Sequence, residues 1–148
     1  MQLSQHTLHV LALLADAYTP ILLCIALIEV ARTWIAGNKL HAAQLAYATV
    51  LVYVLMFIDK YFQLWASFGL DYSTHSAAAF ALVVVISMGK SLPYKLALAV
   101  SLVAYGCLMK LLNYHGWGDM LTTVFVLGVG LFPVLRLSRS AKTSLSIL

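Results

Sequence analysis

The sequence predicts an all-α integral membrane protein, a compact bundle of about five transmembrane helices. Three observations carry that expectation. Of the 148 residues, 63% are hydrophobic and only 9% are charged, against about a quarter charged in soluble domains. Five apolar stretches reach or approach the roughly 20 residues that a helix needs to cross a bilayer. Seven of the nine basic residues fall where one orientation of five spans puts them all on the same side.

The first apolar stretch runs from about Leu8 to Trp34 and carries Asp16, Pro20 and Glu29. It has no basic n-region and no small-residue cleavage site ahead of it, so it is expected to stay in the mature protein. The second runs from Leu40 to Ile58. The connection that follows, Asp59 to Tyr72, contains YFQLWASFGL and reads as an interfacial turn or short amphipathic helix, with Trp65 at headgroup depth. The third stretch starts at Ser73 and continues through a run of small and β-branched residues to Gly89. The fourth spans Tyr94 to Leu112 and the fifth Trp117 to Leu135, where Gly128 and Gly130 read as close-packing positions. Residues 136–148 form a basic tail. The length suits a single transmembrane domain over residues 1–148, with spans at 8–34, 40–58, 73–89, 94–112 and 117–135.

Orientation follows from charge. Arg32 and Lys39 lie after the first span, Lys90 and Lys95 after the third, and Arg136, Arg139 and Lys142 in the tail. These regions share a side, which the positive-inside rule makes cytoplasmic. The N-terminus and the connections after the second and fourth spans then face out, the periplasm or exterior of an inner (plasma) membrane. The net charge of +4 comes from basic residues scattered singly at helix ends, which orient the chain and do not form a nucleic-acid surface. Cys24 and Cys107 sit inside apolar segments without a spacing motif, where a thiol packs as a small hydrophobe.

Only Lys60 and Lys110 among the basic residues belong to the outer side. They flank a polar set: Asp59, Asp71, Ser73, Thr74, His75, His115 and Asp119. Ser73 and Thr74 are natural N-caps at the start of the third helix, and free N–H groups at a helix start attract anions. The apolar part of that helix, Ala77 to Gly89, is only about 20 Å long at 1.5 Å per residue. Its polar start is therefore expected slightly below the outer interface, at the depth of a lipid headgroup. His115 and Asp119 are four apart on one helix face, so the carboxylate can orient the imidazole. Lys110 ends the fourth helix about one turn before His115. Two histidines, a carboxylate, two lysines and a capped helix start suit phosphoryl transfer: cations and N–H groups hold the phosphate oxygens, one histidine attacks, the other protonates the leaving oxygen. No cofactor is implied. His75, His115 and Asp119 lack the close spacing of a zinc helix motif, so no metal site is assigned. Asp16, an intramembrane carboxylate expected to have a partner, either braces the site together with Asp59 and Asp71 or bonds a neighbouring helix.

Tyr72-Ser73-Thr74-His75-Ser76, followed by a small-residue helix, resembles the second signature of the type 2 phosphatidic acid phosphatase superfamily, usually P-S-G-H. His115-x-x-x-Asp119 resembles the end of its third signature, S-R-x5-H-x3-D. The histidines stand 40 positions apart with a hairpin of two helices between them, which is the family's arrangement. The resemblance covers about residues 59–135. It implies an integral-membrane lipid phosphatase working through a phosphohistidine, with His115 as nucleophile, Asp119 as its partner, His75 as proton donor and Ser73 as a phosphate contact. The chain departs from the pattern at Tyr72 (proline), Thr74 (glycine) and Met109 (the third-signature arginine, one place before Lys110). A first signature beginning at Lys60 has Ser67 and Phe68 where the family has arginine and proline. An arginine fork binds phosphate bidentately and a lysine does not replace it conservatively.

The resulting expectation is a lipid phosphatase or phosphotransferase acting on a phosphorylated, lipid-linked headgroup at the outer face. The rival is a non-catalytic membrane subunit or lipid-binding bundle derived from such a fold. A haem held between His75 and His115 is weaker, because axial ligands oppose each other across a bundle core and these two sit at helix ends on one face. A transporter is weaker too, because the polar groups gather at one face and not along a path through the midplane.

Overall fold

The computed structural model describes residues 4–145, with side chains described for residues 4–134. The described residues form five α-helices and no strand: α1 (Gln5–Ile35), α2 (Leu40–Phe62), α3 (Thr74–Ser87), α4 (Leu92–Leu111) and α5 (Trp117–Leu145). A single 3-10 turn, Ala66–Phe68, lies between α2 and α3. Four helices are long and apolar enough to cross a membrane, the architecture of a multi-pass membrane protein; α3, at 14 residues, is the short one. The cytoplasmic placement of the 136–148 tail rests on Arg136, Arg139 and Lys142, whose side chains lie outside the described residues.

Local chemistry explains the boundaries. Ser4 caps α1, its Oγ accepting from the Thr7 N–H at 3.1 Å. Pro20 has no N–H, so the Asp16 carbonyl lacks its usual partner inside α1. Gln63 stops α2 in the left-handed conformation (φ 50°), with its N–H on the Asp59 carbonyl. Ser73 caps α3. Pro93 sits in the first turn of α4, where its missing N–H costs nothing. Asn113 (φ 56°) turns the chain out of α4, and the next N–H, of Tyr114, reaches back to the Met109 carbonyl, a Schellman-type end.

The short helix is the centre of the bundle. α3 packs on all four others, and the packed pairs around it run α4·α1, α1·α2 and α2·α5, leaving α4 and α5 without comparable packing. Its alanines and valines fill two clusters. Ala79, Leu82, Val83 and Ile86 meet Ala15, Leu22 and Ala26 of α1 and Tyr105 and Met109 of α4. Ala77, Ala81 and Val85 meet Ala48 and Val52 of α2 and Leu127 and Leu131 of α5. Within hydrocarbon there is no hydrophobic force between helices, so small side chains and close backbone approach supply the contact energy. Gly130 shows this directly: a Cβ there would lie 2.7 Å from Leu51 Cδ2, and the Tyr47 hydroxyl donates to the Gly130 carbonyl at 2.9 Å. Across the bundle, Tyr18 stacks on Tyr105 with centroids 4.3 Å apart and is hydrogen-bonded to Ser101 at 2.9 Å. Large apolar side chains cover the outward surface, with Phe57, Val100 and Phe125 all exposed, as helices surrounded by lipid require. At the other end of the bundle Lys90 of the α3–α4 turn meets Glu29 of α1 at 2.9 Å.

Candidate polar site at one end of the bundle

The connections α2–α3 and α4–α5 meet at one end, and three of the polar residues come together there. His115 sits in the α4–α5 turn with a mostly buried side chain. Its Nδ1 lies 3.7 Å from Asp71 Oδ2 and 4.0 Å from Asp119 Oδ2. Both distances are within ion-pair range and beyond hydrogen-bond length. Asp71 is largely exposed, while Asp119 is mostly covered.

Asp119 is the structural hinge of the cluster. Its Oδ2 accepts the Gly116 N–H at 2.7 Å, which is the return half of a capping box at the start of α5. Its Oδ1 accepts the Asp71 N–H at 2.9 Å and so ties the chain entering α3 to α5. Gly118 makes that approach possible, because a Cβ there would lie 2.8 Å from Leu70 Cδ2. A carboxylate receiving two backbone N–H groups is held in one orientation, and its charge faces His115 without a direct bond.

Ser73 is fully buried. Its Oγ donates to Ser76 Oγ at 2.8 Å and accepts the Ser76 N–H at 3.3 Å, and its own N–H donates to Thr123 Oγ1 at 3.1 Å. The hydroxyl assigned by resemblance to a phosphate is therefore engaged inside the bundle. Thr74 is half-buried and lines a cavity of about 270 Å³ between α1, α2 and α3, which Thr19, Thr49 and Tyr53 also line. His75 is exposed in the first turn of α3, and its side chain has no hydrogen bond or ion pair among the described residues. Lys60 and Lys110 are both exposed in the last turns of α2 and α4, and neither forms an ion pair among the described residues. Asp59 braces the connection: its Oδ1 accepts the Trp65 N–H at 2.8 Å. Asp16 is exposed on α1, and its side chain has no hydrogen bond or ion pair among the described residues.

Several residues that organise this end have no site role assigned from the sequence. The Trp65 indole N–H donates to Thr122 Oγ1 at 3.0 Å, and Trp65 packs edge-on against Tyr72 with centroids 5.0 Å apart. The Tyr72 hydroxyl donates to the Val52 carbonyl at 3.0 Å. Burial, and secondarily the Asp59 charge, push its pKa up to about 12, which keeps it a neutral donor. Thr123 is fully buried beneath Ser73. Thr122 and Thr123 stand three and four residues after Asp119, so helical spacing from that carboxylate was the available signal for both.

Comparison of the chain with protein-family models, with curated proteins and with solved structures finds no match.

Proposed function

We propose that this protein is an integral-membrane phosphatase or phosphotransferase acting on the phosphorylated headgroup of a lipid, with His115 as the reacting residue. The supporting observation is the placement of His115 between the Asp71 and Asp119 carboxylates, at 3.7 and 4.0 Å from Nδ1. Negative charge on the Nδ1 side favours a proton there and leaves Nε2 as the nucleophilic nitrogen. Nε2 attacks phosphorus, the P–O bond to the lipid breaks, and the leaving oxygen takes a proton from His75. Water, or a second hydroxyl in a transferase, then displaces the phosphoryl group from His115. Lys60 and Lys110, both exposed and without ion pairs among the described residues, neutralise the phosphate charge from the rims of α2 and α4. In this reading the N-terminus and the polar end face the periplasm or exterior, and the C-terminus lies in the cytoplasm.

A second reading, a lipid-binding bundle without turnover, draws on a specific observation. Ser73 and both oxygens of Asp119 are engaged in internal hydrogen bonds, and neither connection at this end carries an arginine. One assay separates the two. Phosphate release from a panel of phospholipids and polyprenyl phosphates is measured in detergent for the wild type and His115→Ala. The enzymatic reading expects release by the wild type and a fall of about a thousandfold or more in the variant. Equal release from both, or none from either, leaves the lipid-binding reading.

A further inference from the structure

Beside the polar cluster lies a groove of about 660 Å³ between α2 and α5, roofed by the α2–α3 connection. Leu55 walls it on α2, Leu64, Trp65 and Leu70 on the connection, and Leu121 and Phe125 on α5. Its one hydroxyl, Thr122, already accepts from the Trp65 indole and donates to the Gly118 carbonyl at 2.7 Å. The lining therefore offers no free polar partner, and a site without polar partners does not hold water. Both long walls belong to helices apolar enough to span a membrane, so the open side gives onto hydrocarbon. The polar site lies next to this groove. Leu70 of its lining directly precedes Asp71, and Thr122, one turn after Asp119, has its hydroxyl on the Gly118 and Asp119 carbonyls at 2.7 and 3.3 Å. A dry groove beside an imidazole and two carboxylates fits one kind of occupant, an amphiphile with its chain in the membrane.

We propose that this groove seats a hydrocarbon chain of a membrane lipid whose headgroup lies at Asp71, His115 and Asp119, so that lipid reaches the site sideways between α2 and α5. The headgroup half rests on the function proposed above; the chain seat does not. Trp65, buried in the wall, reports occupancy. In the full-length chain carrying Trp34→Phe and Trp117→Phe, Trp65 is the sole tryptophan of the three. Titration in detergent with phosphatidic acid brominated on its chains is expected to quench Trp65 with saturation near one lipid per chain. Unbrominated phosphatidic acid should reverse the quench. Leu55→Phe or Val126→Phe, filling the groove from opposite walls, should each weaken the binding about tenfold, since lost methylene contacts carry the affinity. Quenching that rises linearly with bromolipid and ignores both fillings overturns the seat, and the linear response of the parent alone is enough if a filled variant does not fold. Quenching that disappears as protein concentration rises, with a cross-linkable dimer, overturns it in favour of a second copy covering the groove. Equal affinity for brominated phosphatidic acid and brominated diacylglycerol overturns the headgroup half. Saturable quenching with no phosphate release from any lipid supports the chain seat and overturns only the catalytic reading. Release that depends on His115 with non-saturating quenching does the reverse.

Discussion

Asp119 joins two functions that a single carboxylate seldom serves together. It closes the first turn of α5 through Gly116 and pins the entry of α3 through Asp71, while its charge stands 4.0 Å from His115. Asp119→Asn keeps one acceptor oxygen, removes the other and removes the charge. The expected result is a loss of about 1–3 kcal/mol of stability, read as a lower unfolding temperature in detergent, because a charge-assisted bond to a buried-side N–H is lost. Asp71→Asn keeps the backbone donor to Asp119 and removes only the second charge near His115. It should leave the unfolding temperature nearly unchanged while lowering phosphate release, a split that a purely structural cluster would not show. The spacing of His115 and Asp119 makes the pair legible in the chain. Of the two hydrogen bonds that occupy Asp119, the one from the Gly116 N–H is local capping three residues away, while the one from the Asp71 N–H is not legible in the chain, since a distant segment brings that donor in. Ser73 teaches the same lesson: an N-cap was predictable, whereas its burial under Thr123 depends on how α5 crosses α3.

Among the elements, α3 is the one whose role composition hides. Its run of alanines and valines reads as one span among five with a short apolar part, and it is the most enclosed helix because small side chains let four neighbours approach at once. Helix α5 uses the same device against α2. Gly130→Ala places a Cβ 2.7 Å from Leu51 Cδ2, so the leucine must change rotamer or the helices must part. Overpacking of this kind costs about 1–3 kcal/mol. Thermal unfolding in detergent should show that loss, and Leu51→Ala in the same chain should recover part of it, making the pair non-additive. No recovery would mean that the glycine matters for another reason. The helix boundaries were largely readable from apolar runs, with departures where caps and turn residues, not hydropathy, set the ends: α2 continues through Asp59 to Phe62 because the left-handed Gln63 is its stop.

At the scale of the molecule, four helices long and apolar enough to cross a membrane surround a shorter fifth, with the His115, Asp71 and Asp119 cluster at one end and the Glu29–Lys90 pair at the other. The proposed orientation assigns the His115 end to the exterior and the Glu29–Lys90 end to the cytoplasm. Single cysteines at Ser91 and Ser140, introduced after replacement of Cys24 and Cys107, should resist a membrane-impermeant maleimide in intact cells and react once the membrane is opened. Labelling of either from outside would reverse the orientation and place the His115 cluster in the cytoplasm.

Composition and apolar run length suffice for the multi-pass membrane character of this protein and the number of its helices, because each is a property of consecutive residues in a low-dielectric medium. Which groups meet is another matter. His115 stands with Asp71 and Asp119, Ser73 turns inward, Thr74 faces a separate cavity, and a dry groove opens between α2 and α5. Those arrangements arise from the way α3 is enclosed by all four other helices, two of them, α1 and α5, not its neighbours in the chain. Small residues permit that enclosure, but their spacing does not say which neighbour arrives on which side.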